Sequence, residues 1–212
     1  MPASLIHLVR HGEVHNPTKV LYGRIPGFGL SELGHRMAAA AAESLAGHPI
    51  TRVYASPLQR AQESAEPWAA AFGLPIHTED RIIEPTNKFE GQNFEFGPKV
   101  LTRPKSWPWV LNPLRPSWGE AYESIAARML ASMEDAWDAT DSGEVVLVSH
   151  QLPIWTTHRK LSGAKLYHDP RKRRCTLSSI TTFEKRDGRF VEVDYQDPAR
   201  ELAQNATDLG AV

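Results

Sequence analysis

Ser4-Leu5-Ile6-His7-Leu8-Val9-Arg10-His11-Gly12-Glu13 is the stretch that decides the fold. Its first seven residues form a compact apolar run of strand length that includes β-branched side chains, the pattern of a buried strand. The run ends in Arg10 and His11, two polar side chains expected at the strand's carboxyl tip. Beyond it, the glycine-rich stretch Tyr22–Gly29 must be loop. Ser31 then offers a helix N-cap, Glu32 suits the positive end of a helix, and the Ala-rich run that follows stops at Gly47.

The rest of the chain repeats this alternation. Arg52–Ala55 reads as a second strand, and Ser56-Pro57-Leu58-Gln59 as a capping box that places Arg60 in the first helical turn. Ile76–Ile83 reads as a strand ending near Glu84. Ser117–Glu120 reads as another capping box, after which Tyr122, Ile125, Ala126, Met129, Met133 and Trp137 recur at helical spacing. Glu144–Ser149 is a buried strand, followed by His150 and a helix ending near Gly163. Cys175–Lys185 and Arg189–Tyr195 read as a closing hairpin around Arg186-Asp187-Gly188. Strands alternating with helices predict an α/β fold whose mixed, mostly parallel sheet is covered on both faces. Ligands of such folds gather outside the carboxyl ends of the strands. Arg10, His11, Arg60, Glu84 and His150 all fall just after a predicted strand.

Together those five residue types suit one chemistry. Two arginines give rigid forks of donors for phosphate oxygens and keep their charge at physiological pH. One histidine, when neutral, can act as a nucleophile, while the other helps hold the phosphoryl oxygens. A carboxyl group near the leaving oxygen can protonate it and then activate water. Phosphoryl transfer asks mainly for positioning and charge stabilisation.

Three segments also carry a family resemblance. Leu8-Val9-Arg10-His11-Gly12-Glu13 resembles the defining motif of the histidine phosphatase superfamily, also called phosphoglycerate mutase-like. Ser56-Pro57-Leu58-Gln59-Arg60-Ala61 resembles its second motif and Val148-Ser149-His150 its third, and Leu30–Gly34 fits the family's helix start. The resemblance spans nearly the whole chain. It implies a three-layer α/β/α sandwich, His11 as the phosphorylated nucleophile, Arg10, Arg60 and His150 as the phosphate pocket, Glu84 as proton donor, and no metal or organic cofactor. Asn16 is the nearest match to an Asn that touches the transferred group, one residue closer to the first motif than is usual. The acid region around Glu84 is one residue shorter than the family pattern, which leaves Glu90 and Glu13 as rival acids.

Composition bounds the alternatives. Lys+Arg 24 against Asp+Glu 25 gives no basic excess for nucleic acid or an anionic membrane. The single Cys175 suits a reducing compartment, and no secretory signal or membrane span is read, so a cytoplasmic protein is expected. With no repeats or linker, residues 1–212 are expected to form one domain with a frayed C-terminal tail. His7, His11 and His15 are spaced four apart, but four strand residues cover about 13 Å, too far to share one zinc ion. His7 therefore reads as a packed strand histidine, and Arg171–Arg174 as a solvated basic loop that could widen the approach to the pocket. The Pro/Trp-rich segment 98–118 reads as an ordered excursion and candidate lid, with Arg103, Lys105 and Arg115 available to a second anionic group. The expected function is hydrolysis of a small phosphorylated metabolite. A mutase that returns phosphate to a sugar acid, and a non-catalytic phosphate-binding protein on the same fold, are the alternatives.

Overall fold

A computed structural model describes residues 2–88, 90–91, 119–204 and 206–208. In chain order the elements are β1 (Leu5–Arg10), α1 (Glu32–Ser44), β2 (Ile50–Ala55), α2 (Gln59–Phe72), β3 (Ile76–Thr78), α3 (Tyr122–Asp138), β4 (Glu144–Ser149), α4 (Gln151–Leu161), β5 (Ile180–Arg186), β6 (Arg189–Gln196) and the short α5 (Arg200–Ala203). The sheet runs β3-β2-β4-β1-β5-β6. β3, β2, β4 and β1 are parallel, and the hairpin β5–β6 adds two antiparallel strands beside β1. The expected mixed, mostly parallel sheet is the one observed.

Side-chain alternation along the strands divides the core into two layers. Ile6, Leu8, Val145, Leu147 and Phe183 pack with Ile125, Met129 and Met133 of α3 and with Leu152 and Ile154 of α4. Val9, Val53, Ala55, Val146, Val148 and Ile180 pack on the other face with Ala41 and Ala42 of α1 and Ala61, Ala65 and Trp68 of α2. Every residue of β4 is buried, as a central parallel strand with both faces covered requires. The result is an α/β/α sandwich.

Local chemistry anchors the site end of the sheet. Ser31 caps α1 as expected, its hydroxyl accepting from Gly34 N at 2.9 Å. A Cβ on Gly12 would stand 2.4 Å from Gly34 O, and one on Gly34 would stand 2.0 Å from Glu13 O. The loop after β1 therefore presses backbone to backbone on the first turn of α1, an approach that only glycine permits. The hairpin turn Asp187-Gly188 has φ of 49° and 74°, which matches the primed two-residue turns that suit twisted strands.

Four expectations are corrected. β3 stops at Thr78, and the Glu79 carboxylate accepts from Arg81 N to start a single 3-10 turn over Asp80–Ile82. That turn drives Ile82 into the core, where its carbonyl accepts from Ser149 Oγ at 2.6 Å, and Glu84 crosses the strand ends instead of prolonging a strand. Ser56 is not the N-cap of α2: the helix begins at Gln59 after Leu58, which makes no side-chain cap bond, and Ser56 Oγ accepts from Leu58 N, at 3.4 Å. α3 begins after Ala121, also without a side-chain cap, later than the expected capping box, whose Ser117 and Trp118 lie outside the described residues. Finally, β5 starts at Ile180, because the preceding residues turn back over the strand ends, with Ser178 at φ 56° and its N–H bonded to His11 O. The 98–118 segment, with Arg103, Lys105 and Arg115, lies outside the described residues.

Met129 is wholly buried between α3 and the sheet. Met129→Ala should cost about 2–5 kcal/mol through lost transfer energy and the cavity left behind. Equilibrium urea unfolding will show this as a lowered midpoint at unchanged slope.

Candidate active site

The carboxyl ends of β1, β2 and β4 bring the expected residues together. Arg10 closes β1 and His11 follows it, Arg60 is the second residue of α2, and His150 immediately follows β4. All four are buried, Arg10 and Arg60 at 1%, His11 at 3% and His150 at 0% exposure. The His11 and His150 rings lie 5.2 Å apart, tilted by 59°.

His11 Nδ1 lies 2.7 Å from Gly12 O. A carbonyl only accepts, so Nδ1 carries the proton of the neutral ring and Nε2 keeps its lone pair. Burial first, then the Arg60 and Arg10 guanidinium groups, hold the His11 pKa well below the ordinary imidazole value. His11 is thus a neutral imidazole with an available Nε2. His150 is held low by the same causes, burial ahead of Arg60. Its Nε2 meets Ser56 Oγ at 2.8 Å, a closer contact than the 3.4 Å bond that the same hydroxyl accepts from Leu58 N.

Each guanidinium is anchored by its terminal nitrogens. Arg60 Nη2 donates to Gly23 O at 2.8 Å, and its carbon lies 4.7 Å from the centre of the Tyr22 ring. Arg10 Nη1 donates to Cys175 O at 2.7 Å. Its two terminal nitrogens also meet both oxygens of Asp208, at 2.8 and 2.5 Å. Burial alone would lower the Arg10 pKa, but the Asp208 carboxylate outweighs it and raises the value above the ordinary one. Among the described residues, Arg10 Nε, Arg60 Nε and His150 Nδ1 are buried without a hydrogen-bond partner. The two guanidinium Nε–H groups beside His11, joined by His150 Nδ1 in the tautomer that protonates it, make a cradle for an anion, because a buried donor left unbonded is costly.

Glu84 stands beside this cradle, 7% exposed, its Oε2 3.6 Å from His150 Nδ1. That is an approach rather than a hydrogen bond. Burial raises the Glu84 pKa above the ordinary carboxylate value, against the pull of Arg60, Arg173 and Arg10. The rival carboxylates are spent elsewhere. Glu13 accepts from the Ser31 hydroxyl and from Thr207 N, and Glu90 Oε1 accepts from Arg24 N at 3.1 Å and Asn87 N at 3.2 Å. Asn16 is engaged within its own loop: its Nδ2 donates to Val20 O at 2.8 Å and its Oδ1 accepts from Val20 N at 3.0 Å.

Three participants were not singled out from the sequence. Ser56 was read as a helix cap, and only its contact with His150 shows the other use. Asp208 sits in a tail that no pattern marked. Arg173 belongs to the basic run read as solvated, yet it is half-buried facing Glu84, its Nη1 donating to Gln151 Oε1 at 3.1 Å. Arg173, Gln151, Cys175 and Asp208 line a cavity of about 320 Å³, and two of them, Cys175 and Asp208, also hold Arg10.

The whole arrangement can hold a compact multivalent anion, attack it with Nε2 of His11 and exchange a proton with it at Glu84. Residues 6–198 match the model of the histidine phosphatase superfamily (branch 1). The chain is 50% identical over 194 residues to the uncharacterised protein Rv0525 of Mycobacterium tuberculosis, covering 92% of this chain and 96% of that one. It is 32% identical over 168 residues to phosphoserine phosphatase 1 of Hydrogenobacter thermophilus, covering 75% and 76%. The solved structure of the Entamoeba histolytica phosphoserine phosphatase in complex with 3-phosphoglyceric acid superposes with a TM-score of 0.72 at 22% identity, covering 91% of this chain and 96% of that one. On the family match over most of its length, joined to the sequence motifs that meet at the strand ends, the chain belongs to the histidine phosphatase superfamily.

Proposed function

We propose that the protein is a phosphomonoesterase acting on a small phosphorylated metabolite through a phosphohistidine on His11. The observation that carries this reading is the neutral His11, its Nε2 lone pair free beside buried Arg10 and Arg60 whose Nε donors lack partners. A phosphoryl group would accept from Arg10, Arg60 and His150 while Nε2 attacks phosphorus in line with the departing ester oxygen. As the P–O bond breaks, Glu84 gives its proton to the leaving alkoxide. Glu84, now a carboxylate, takes a proton from water, whose oxygen attacks phosphorus. The P–N bond breaks and its electron pair returns to His11. The relatives named as phosphoserine phosphatases support hydrolysis of a small phosphorylated molecule. Asn16 enters only if its loop contacts with Val20 open.

Three outcomes follow. His11→Ala should reduce hydrolysis of a general phosphomonoester by at least about 10³-fold and abolish an acid-labile, base-stable phosphoenzyme in rapid-quench labelling. Unimpaired turnover in that variant refutes the assignment, and release of phosphate carrying label from isotopic water distinguishes hydrolysis from mutase transfer.

The pH profile of kcat/KM should be bell-shaped. Its acid limb reports protonation of His11, displaced below the ordinary histidine range because burial depresses that pKa. Its alkaline limb reports loss of the Glu84 proton, displaced above the ordinary carboxylate range because burial raises that pKa. Glu84→Gln should lower kcat and remove the alkaline limb while leaving the acid one.

Asp208 holds the terminal edge of the Arg10 fork, which a phosphoryl oxygen pair would otherwise use. Asp208→Asn should therefore tighten competitive inhibition by inorganic phosphate, by roughly 5- to 30-fold if about 1–2 kcal/mol of competing pairing is removed. Steady-state inhibition assays read this directly.

A further inference from the structure

At the end of β1 remote from His11, three side chains from separate parts of the chain converge. His7 of β1 is 1% exposed, His48 lies in the turn between α1 and β2, and Glu144 opens β4. His7 Nε2 and His48 Nδ1 each lie 2.8 Å from the same oxygen, Glu144 Oε2. The two imidazole planes stand at 89°, with centroids 5.9 Å apart. The three candidate donor atoms all lie within 4.8 Å of one another.

We propose that His7, His48 and Glu144 form a binding site for one zinc ion, separate from the catalytic pocket. Two imidazoles and a carboxylate are a donor set that zinc favours. A tetrahedral zinc with bonds of about 2.0–2.2 Å places its ligand atoms about 3.3 Å apart. For Oε2 to bind an ion in place of two N–H donors, the 2.8 Å nitrogen–oxygen separations widen by about half an ångström, and the two ring nitrogens, within 4.8 Å of each other, settle at a similar spacing. His48, whose side chain is 41% exposed, gives the ion a path in and leaves room for water as a fourth ligand.

The outer contact of His7 strengthens the assignment. Its Nδ1 lies 2.9 Å from Thr182 Oγ1 on β5. A metal-bound His7 Nε2 requires the proton on Nδ1, and the Thr182 hydroxyl can accept it, fixing both tautomer and ring orientation. Along β1, His7 and His11 stand about 13 Å apart, so the ion takes no part in catalysis. It would tie β1, β4 and the turn after α1 together, and its binding free energy would add to the stability of the fold. Spacing along the sequence hid this group, because His48 and Glu144 reach His7 only through the sheet.

The test uses the full chain stripped with chelator, then titrated with zinc chloride by calorimetry and by thermal unfolding. One ion should bind with micromolar or tighter affinity, and Tm should rise by roughly 5–10 °C at about a hundredfold excess over Kd. His48→Ala, at a half-exposed position, and Glu144→Gln should each weaken binding by at least about tenfold. His48→Ala should leave phosphomonoester hydrolysis unchanged, and His11→Ala should keep the zinc site. Absence of stoichiometric binding overturns the proposal, as does binding that persists in both His48→Ala and Glu144→Gln or disappears in His11→Ala.

Discussion

Two guanidinium groups buried within one pocket set the terms for everything around them. Arg10 and Arg60 are each 1% exposed, and charge removed from water must be met by hydrogen bonds, opposite charge or polarisable surface. The fold meets it with backbone carbonyls of Cys175 and Gly23, the Tyr22 ring and the Asp208 carboxylate. The same positive field then acts on the histidines. It adds to burial in keeping His11 uncharged, so the groups that favour an anion also keep Nε2 of the nearby imidazole unprotonated.

The carboxylate beside this pocket feels the opposite balance. Burial favours the protonated Glu84 while four arginines favour the anion, and burial prevails. A residue poised between those influences can give a proton and later take one, which hydrolysis in two steps requires. Glu13 and Glu90 have the same functional group but are committed to loop hydrogen bonds, one to α1 and the tail, the other to the Arg24 turn. Position and occupied lone pairs, rather than residue type, separate the proposed acid from the struts.

Placement of the pocket depends on rigid contacts behind it. Gly12 against Gly34 fixes the loop after β1 on the first turn of α1, and Gly12 N donates to Ser64 Oγ of α2 at 3.1 Å. Ser149 Oγ holds Ile82 O, which fixes the chain that carries Glu84 across the strand ends. Catalytic geometry held to within about half an ångström needs such supports.

Much of this was legible in the sequence. The apolar runs Ser4–Arg10 and Glu144–Ser149 determined two central strands, and the residues following them determined which side chains stand at the strand tips, because strand period and burial are local properties of the chain. Three motifs in order determined the family. What only the tertiary structure decided were the partners made by long-range approach. Ser56 meets His150 across the strand ends, Asp208 reaches Arg10 across almost the whole chain, Arg173 turns inward from a basic run, and His7 and His48 meet at Glu144. The physical reason is the same in each case. A hydroxyl, carboxylate, guanidinium or imidazole has several partners of similar energy available locally, and the packing of distant segments selects among them.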